Sequence, residues 1–178
     1  MTKQKFLNPE KVLHAVALDK NMTVADMGSG NGFFTVPAAK IIGDQGQVWA
    51  VDILEEALGN LISLARLEGR NNILTQQCDL DSQEPCNIPE LSCDLVIVGK
   101  ILTQMKSPQY LANEAYRILK TGGKLLVLEW KKESSVLGPP LGQRIGMEDA
   151  KKIFTTQAFK YSGEIETDPF HYGLVFQK

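Results

Sequence analysis

Apolar residues recur along this chain with two alternating periods. Short runs rich in Val, Ile, Leu and Ala at 22–27, 48–52, 93–98 and 124–129 read as strands buried on both faces. Between them the apolar positions fall three and four apart. Residues 54–68 carry Leu54, Ala57, Leu58, Leu61, Leu64 and Ala65 at that spacing. The segment after Ser107-Pro108 carries Leu111, Ala115, Ile118 and Leu119. Both predict amphipathic helices facing a core. Residues 73–77 form a more polar run and predict a strand near a sheet edge.

Caps and breakers set the boundaries. Asn8-Pro9-Glu10 predicts a helix start, with Asn as cap and Pro at the first helical position. His14 on that helix reads as a surface or packing residue. Residues 33–42 predict a second helix, ended by Gly43, in which Pro37 is tolerable only near the first turn. Residues 147–157 predict the last helix. Residues 159–165 and 171–176 then read as two strands joined through Glu166-Thr-Asp-Pro169, with Tyr172, Leu174 and Phe176 alternating. Strands alternating with helices predict an α/β fold with a doubly wound, mostly parallel seven-stranded sheet and a C-terminal antiparallel hairpin. The whole chain, 1–178, reads as one domain.

Composition narrows the classes. A net charge of -2 over 178 residues gives no basic excess, so neither nucleic acid nor an anionic membrane is expected as partner. The apolar runs are strand length, so no transmembrane helix is predicted. The first six residues lead into no apolar stretch, so no signal peptide is predicted and a cytoplasmic location is expected. Cys78, Cys86 and Cys93 are odd in number and widely spaced. They read as reduced thiols, without a disulfide framework or a metal site.

The chemistry concentrates at Val24-Ala25-Asp26-Met27-Gly28-Ser29-Gly30-Asn31-Gly32-Phe33-Phe34. A buried strand runs into a glycine turn that opens a helix, which makes a ligand seat at the carboxyl edge of a parallel sheet. Its helix-start N–H groups, lacking internal partners, are expected to face the ligand. The spacing departs from a dinucleotide fingerprint, because Phe33 stands where a third small residue belongs. Asp26 beside the turn suits an ammonium and repels a pyrophosphate. About twenty residues on, Asp52 ends the next buried run and is placed to accept from a ribose diol. Ribose, cationic amine and no phosphate fit S-adenosylmethionine (SAM).

Asp26-Met-Gly-Ser-Gly-Asn-Gly32 followed by Asp52 resembles the first motif and the second-strand acid of class I SAM-dependent methyltransferases. The resemblance continues through Cys93-Asp94-Leu-Val-Ile-Val98, Tyr116-Arg-Ile-Leu-Lys-Thr-Gly-Gly-Lys124 and Leu125-Leu-Val-Leu-Glu129. It is closest to small bacterial and archaeal members related to quinone-biosynthesis methyltransferases. It implies a three-layer, Rossmann-like fold that transfers methyl from SAM to a small-molecule acceptor, leaving S-adenosylhomocysteine. It also implies a cofactor set. Asp26 and Gly28 hold the methionyl amine, with Ser29 and Gly30 beside them. Asp52 holds the ribose, next to Ile53. Asp79 and Leu80 hold the adenine, with Asp81 as competitor. Gly99 and Lys100 meet the cofactor at the end of the fourth strand.

Acceptor-side candidates are Lys100, Thr103 and Trp130. Relatives often carry Asn at the first of these positions and His-Glu at Thr103-Gln104, so the usual candidate base is absent. Arg144, after the Gly138-Pro139-Pro140 stretch of a long 133–145 loop, could meet an anionic substrate or form a structural salt bridge. No metal is expected, and a homodimer remains open. The rival readings are a nicotinamide oxidoreductase and a non-catalytic SAM-binding or partner-binding module.

Overall fold

The computed structural model describes residues 6–133, 135 and 137–178. The reading of the first six residues therefore falls mostly outside the described chain, as do Ser134 and Val136 of the long loop. Helix α1 (Pro9–Ala15) starts at Asn8, whose side chain accepts from the Lys11 amide at 3.0 Å. The chain then alternates: β1 (Thr23–Met27), α2 (Thr35–Ile42), β2 (Gln47–Asp52), α3 (Glu55–Leu67), β3 (Ile73–Gln77), β4 (Cys93–Gly99), α4 (Pro108–Ile118), β5 (Leu119–Trp130), α5 (Met147–Thr156), β6 (Lys160–Ile165) and β7 (His171–Gln177).

The seven strands form one sheet in the order β3-β2-β1-β4-β5-β7-β6. The first five pair in parallel; β7 runs antiparallel to both β5 and β6. The polar run at 73–77 is an edge strand, as its composition predicts. The strand period of two sorts side chains to opposite faces. On β4, Val96 and Val98 pack with α4 and α5, while Leu95 and Ile97 pack with α1, α2 and α3. On β5, Leu125 and Val127 take the first side, Leu126 and Leu128 the second, and all four are fully buried. Each such side chain contributes about 1.5–3 kcal/mol by leaving water, which makes β4 and β5 the spine of the domain.

Three differences from the sequence expectation have local causes. Helix α2 begins two residues late, at Thr35, because Phe33 and Phe34 belong to the glycine turn and stack edge-to-face at 5.0 Å. Strand β5 begins early, at Leu119. The Thr121-Gly122-Gly123 turn is held to the C-terminus by the Gly122 amide donating to the Lys178 carbonyl at 3.0 Å. Cys78 and Cys86 are disulfide-bonded, against the expectation of three reduced thiols, and Cys93 is free and buried. Eight residues of separation carry no recognisable signal. The loop after β3 folds back and brings the two Cα atoms to 5.7 Å, a distance a disulfide can span.

Closing a loop of that length restricts the unfolded chain by about 2.5 kcal/mol. Reduction is therefore expected to lower the melting temperature by roughly 5–10 °C. Scanning fluorimetry with and without a phosphine reductant checks this; an unchanged melting point would show that the bond contributes nothing.

Candidate functional site

The strand order reverses between β1 and β4, and a cavity of about 600 Å³ opens over the carboxyl ends there. That size suits a nucleoside-sized ligand. Its wall comes from the β1 turn (Asp26, Gly28, Ser29, Gly30, Asn31), the end of β2 (Asp52, Ile53, Leu54) and the loop after β3 (Cys78 to Asp81). The segment after β4 (Gly99, Lys100, Ile101, Gln104, Met105) completes it, with Phe33 and Phe34. All ten residues proposed for the cofactor from the sequence fall on this one wall: Asp26, Gly28, Ser29, Gly30, Asp52, Ile53, Asp79, Leu80, Gly99 and Lys100.

The turn is more self-contained than the sequence suggests. The Gly28 and Ser29 amides donate to the Val51 carbonyl at 2.8 and 2.9 Å, and the Gly30 amide donates to Asp52 Oδ2 at 2.8 Å. These three turn N–H groups are spent on holding the turn to β2 and are not offered to a ligand. Fewer main-chain donors are thereby left for a pyrophosphate. Gly28 sits at φ +80°, and a Cβ there would collide with Ile101, so the β1 turn and the segment after β4 touch only because this residue is glycine.

Two carboxylates stand in this wall. Asp26 is 2% exposed and accepts from Thr35 Oγ1 at 2.6 Å. Burial pushes its carboxyl up to about 6; the Thr35 hydrogen bond opposes that and the charge of Asp52 adds to it. Asp52 Oδ1 accepts from the Leu54 amide at 3.0 Å, so both its oxygens are oriented by main chain yet keep further lone pairs for ligand hydroxyls. On the far side, Asp81 spends its oxygens on the Lys106 and Ser107 amides at 2.8 and 2.6 Å, fixing the start of α4. Asp79 is exposed and bonds the Asp81 amide through one oxygen. Asp79 therefore has more capacity for a ligand than its competitor.

The acceptor-side candidates separate. Lys100 lines the cavity, with Nζ 4.6 Å from the Phe33 ring centre, and has φ +59°. A left-handed backbone is strained for Lys and easier for Asn. Thr103 and Trp130 are not in the cavity wall; Gln104 and Met105 take the place expected of Thr103. Trp130 packs on His171 with ring centres 4.0 Å apart, beneath Gly138 and beside Arg144. Arg144 is 4% exposed and forms no salt bridge among the described residues, against the second of the two readings made for it. Its guanidinium donates to the Lys131, Glu133, Leu137 and Pro139 carbonyls and to Ser135 Oγ, clasping its own loop.

One buried acid went unnoticed in the sequence. Glu129 is fully buried and accepts from the Leu102 amide at 2.8 Å, which ties the end of β5 to the segment after β4. Burial pushes its carboxyl up to about 7. Its position inside an apolar strand, Leu-Val-Leu-Glu, is the signal that could have marked it.

Residues 18–167 match the family described as "Methyltransferase domain". The chain belongs to the class I SAM-dependent methyltransferases. A ubiquinone/menaquinone biosynthesis C-methyltransferase (UbiE) of Neisseria gonorrhoeae is 32% identical over 120 residues, 67% of this chain and 47% of the relative. The corresponding protein of Hydrogenovibrio crunogenus is 26% identical over 169 residues, 86% of this chain and 66% of the relative. The chain thus spans between about half and two thirds of the length of these curated relatives. A SAM-dependent methyltransferase from Aquifex aeolicus shares the fold at a TM-score of 0.89, with 24% identity, over 96% of this chain and 89% of that one.

The methyltransferase wall fits SAM by its own chemistry. Asp26 is a carboxyl that burial weakens as an acid and that has no salt-bridge partner among the described residues, so an ammonium would complement it. The Ser29 hydroxyl is buried and without a hydrogen-bond partner among the described residues, so the wall also holds a polar atom waiting for one. Among the described residues there is no group of three or more His, Cys, Asp or Glu placed to hold a metal, and no helix is long and apolar enough to cross a membrane.

Proposed function

We propose that this domain transfers the methyl group of SAM to a small-molecule acceptor, with quinone-related C-methylation as the class suggested by its curated relatives. The observation that carries the reading is the pair of carboxylates, Asp26 and Asp52, on one cavity where the Gly28, Ser29 and Gly30 amides are already committed. SAM supplies a methyl activated by the sulfonium charge. The chain's part is placement: Asp26 orients the amine, Asp52 the ribose, and Asp79 with Leu80 the adenine. Phe33 and Lys100 then border the side from which an acceptor approaches. Holding two reactants in line near contact distance supplies several kcal/mol of the barrier reduction.

Incubation with methyl-tritiated SAM and a panel of hydroquinones and naphthohydroquinones tests this. Label is expected in an extracted organic product that depends on enzyme. Tight SAM binding with no transfer to any member would favour a non-catalytic SAM-binding module.

A further inference from the structure

One stretch of the cavity wall is held by a covalent bond. Residues 78–86 run between β3 and β4 in neither helix nor strand. Cys78, Asp79, Leu80 and Asp81 from this stretch line the cavity, whereas Cys86 stands behind it in the core. The Cys78 amide donates to the Asp52 carbonyl at 3.1 Å, so the stretch leaves the sheet beside the acid assigned to the ribose. At the other end Cys86 is fixed to α4. Its amide donates to Glu114 Oε1 at 3.1 Å, and its carbonyl accepts from Arg117 Nη2 at 3.0 Å. Glu114 and Arg117 are themselves paired at 2.6 Å, and Cys86 is 5% exposed. The disulfide therefore ties the cavity wall at Cys78 to a post anchored on α4.

We propose that the Cys78–Cys86 bond is a redox control on the cofactor site: closed, it holds Asp79 and Leu80 in place for the adenine; opened by a dithiol reductant, it lowers the affinity for SAM. The inference rests on the proposed assignment of Asp79 and Leu80 to the adenine. Both hydrogen bonds that Asp79 makes stay within the stretch: its side chain accepts from the Asp81 amide at 2.9 Å and its carbonyl from the Ser82 amide at 3.2 Å. Leu80 packs in the same core cluster as Cys86. The later residues have holds of their own, Asp81 on the Lys106 and Ser107 amides and Gln83 on the Tyr110 hydroxyl at 2.7 Å. Reduction thus loosens the part of the stretch that faces the ligand and leaves the rest on α4. Ordering two side chains again on binding costs roughly tenfold in affinity.

Cys78 is the more exposed half of the bond, so its sulfur takes the attack. A thiolate of the reductant bonds to Cys78 Sγ; the bond between the two cysteines breaks, and Cys86 Sγ leaves with the electron pair and takes a proton. The second thiolate of the reductant then attacks its own sulfur in the mixed disulfide, and Cys78 Sγ leaves and is protonated in turn. The reductant ends as a disulfide, and two electrons and two protons have passed to the protein. Cys93 takes no part. It is fully buried at the start of β4, and burial pushes its thiol up to about 11. Because the oxidised protein holds SAM more tightly, SAM favours the oxidised protein by the same factor.

Calorimetry with S-adenosylhomocysteine tests this on protein oxidised by glutathione disulfide and on protein reduced by dithiothreitol. Affinity is expected to fall at least tenfold on reduction. C86A leaves every residue of the cavity wall in place; it should bind as weakly as reduced wild type and ignore dithiothreitol. S-inosylhomocysteine, which lacks the exocyclic amine, reads the adenine contact: the preference for the adenosyl ligand should narrow on reduction. In thiol–disulfide buffers, saturating S-adenosylhomocysteine should lower the midpoint potential of the pair by about 30 mV for each tenfold in affinity. Wild-type affinities within threefold of each other in the two states, or a midpoint unmoved by ligand, would overturn the control and leave the cofactor reading standing. So would three alkylatable thiols in the oxidised protein after unfolding. Absence of binding in both states would overturn the cofactor reading as well.

Discussion

Replacing Asp52 by Ala is expected to weaken SAM binding at least tenfold. The carboxylate does two things at once. It receives the Gly30 and Leu54 amides, which shape the turn and the exit from β2. It also presents its remaining lone pairs to the cavity, where a ribose diol would donate. A hydrogen bond to a charged acceptor is worth about 1.5–3 kcal/mol, a factor of roughly ten to a hundred and fifty in affinity. Asp52→Asn keeps the volume and one carbonyl acceptor, so it should retain more of the turn and less of the charge. Calorimetry on both variants, with melting curves to confirm that each is folded, separates ligand contacts from turn geometry. Unchanged affinity in Asp52→Ala would remove the ribose from this account.

The second large effect is a pH dependence centred on Asp26. With its carboxyl pushed up to about 6 in the free protein, the ionised fraction falls from about nine-tenths at pH 7 to about one-tenth at pH 5. SAM affinity should therefore fall roughly tenfold between those values, because only the carboxylate attracts an ammonium. Asp26→Asn should lose tenfold to a hundredfold at pH 7 and show a flat profile over the same range.

Stability of the free protein should move the other way. Asp26 and Glu129 both have folded-state values raised above the unfolded ones, to about 6 and about 7. Their contributions are fully present below the unfolded values and are lost as pH rises through the folded ones. On these groups alone the ligand-free protein gains stability from pH 8 to pH 5 while its hold on SAM weakens. Calorimetry and thermal melts across that range read the two trends separately; parallel trends would mean that Asp26 does not meet the cation.

Much of this was legible before any fold was known, for reasons that differ by element. The buried strands announced themselves because β4 and β5 are apolar on both faces, and the edge strand β3 because it is not. The cavity wall was legible because its residues lie immediately after strand ends, where a doubly wound sheet collects them. What stayed hidden depends on contacts between distant segments. The Cys78–Cys86 bond follows from how the loop after β3 folds back. The Arg144 clasp draws on carbonyls from Lys131 to Pro139, and a carbonyl has no signature in sequence. The His171–Asp168 pair lay in plain sight within the hairpin connection. Only the β5–β7 register shows that the strand start places it beside Trp130.

The central claim is that the two-carboxylate cavity is built for an adenosylated cation. Equal titrations of the purified protein with SAM, S-adenosylhomocysteine and NAD by calorimetry test it most directly. The account predicts one site that takes both adenosyl ligands, with NAD giving no heat. Saturable NAD binding at that site, with SAM inert, would contradict it.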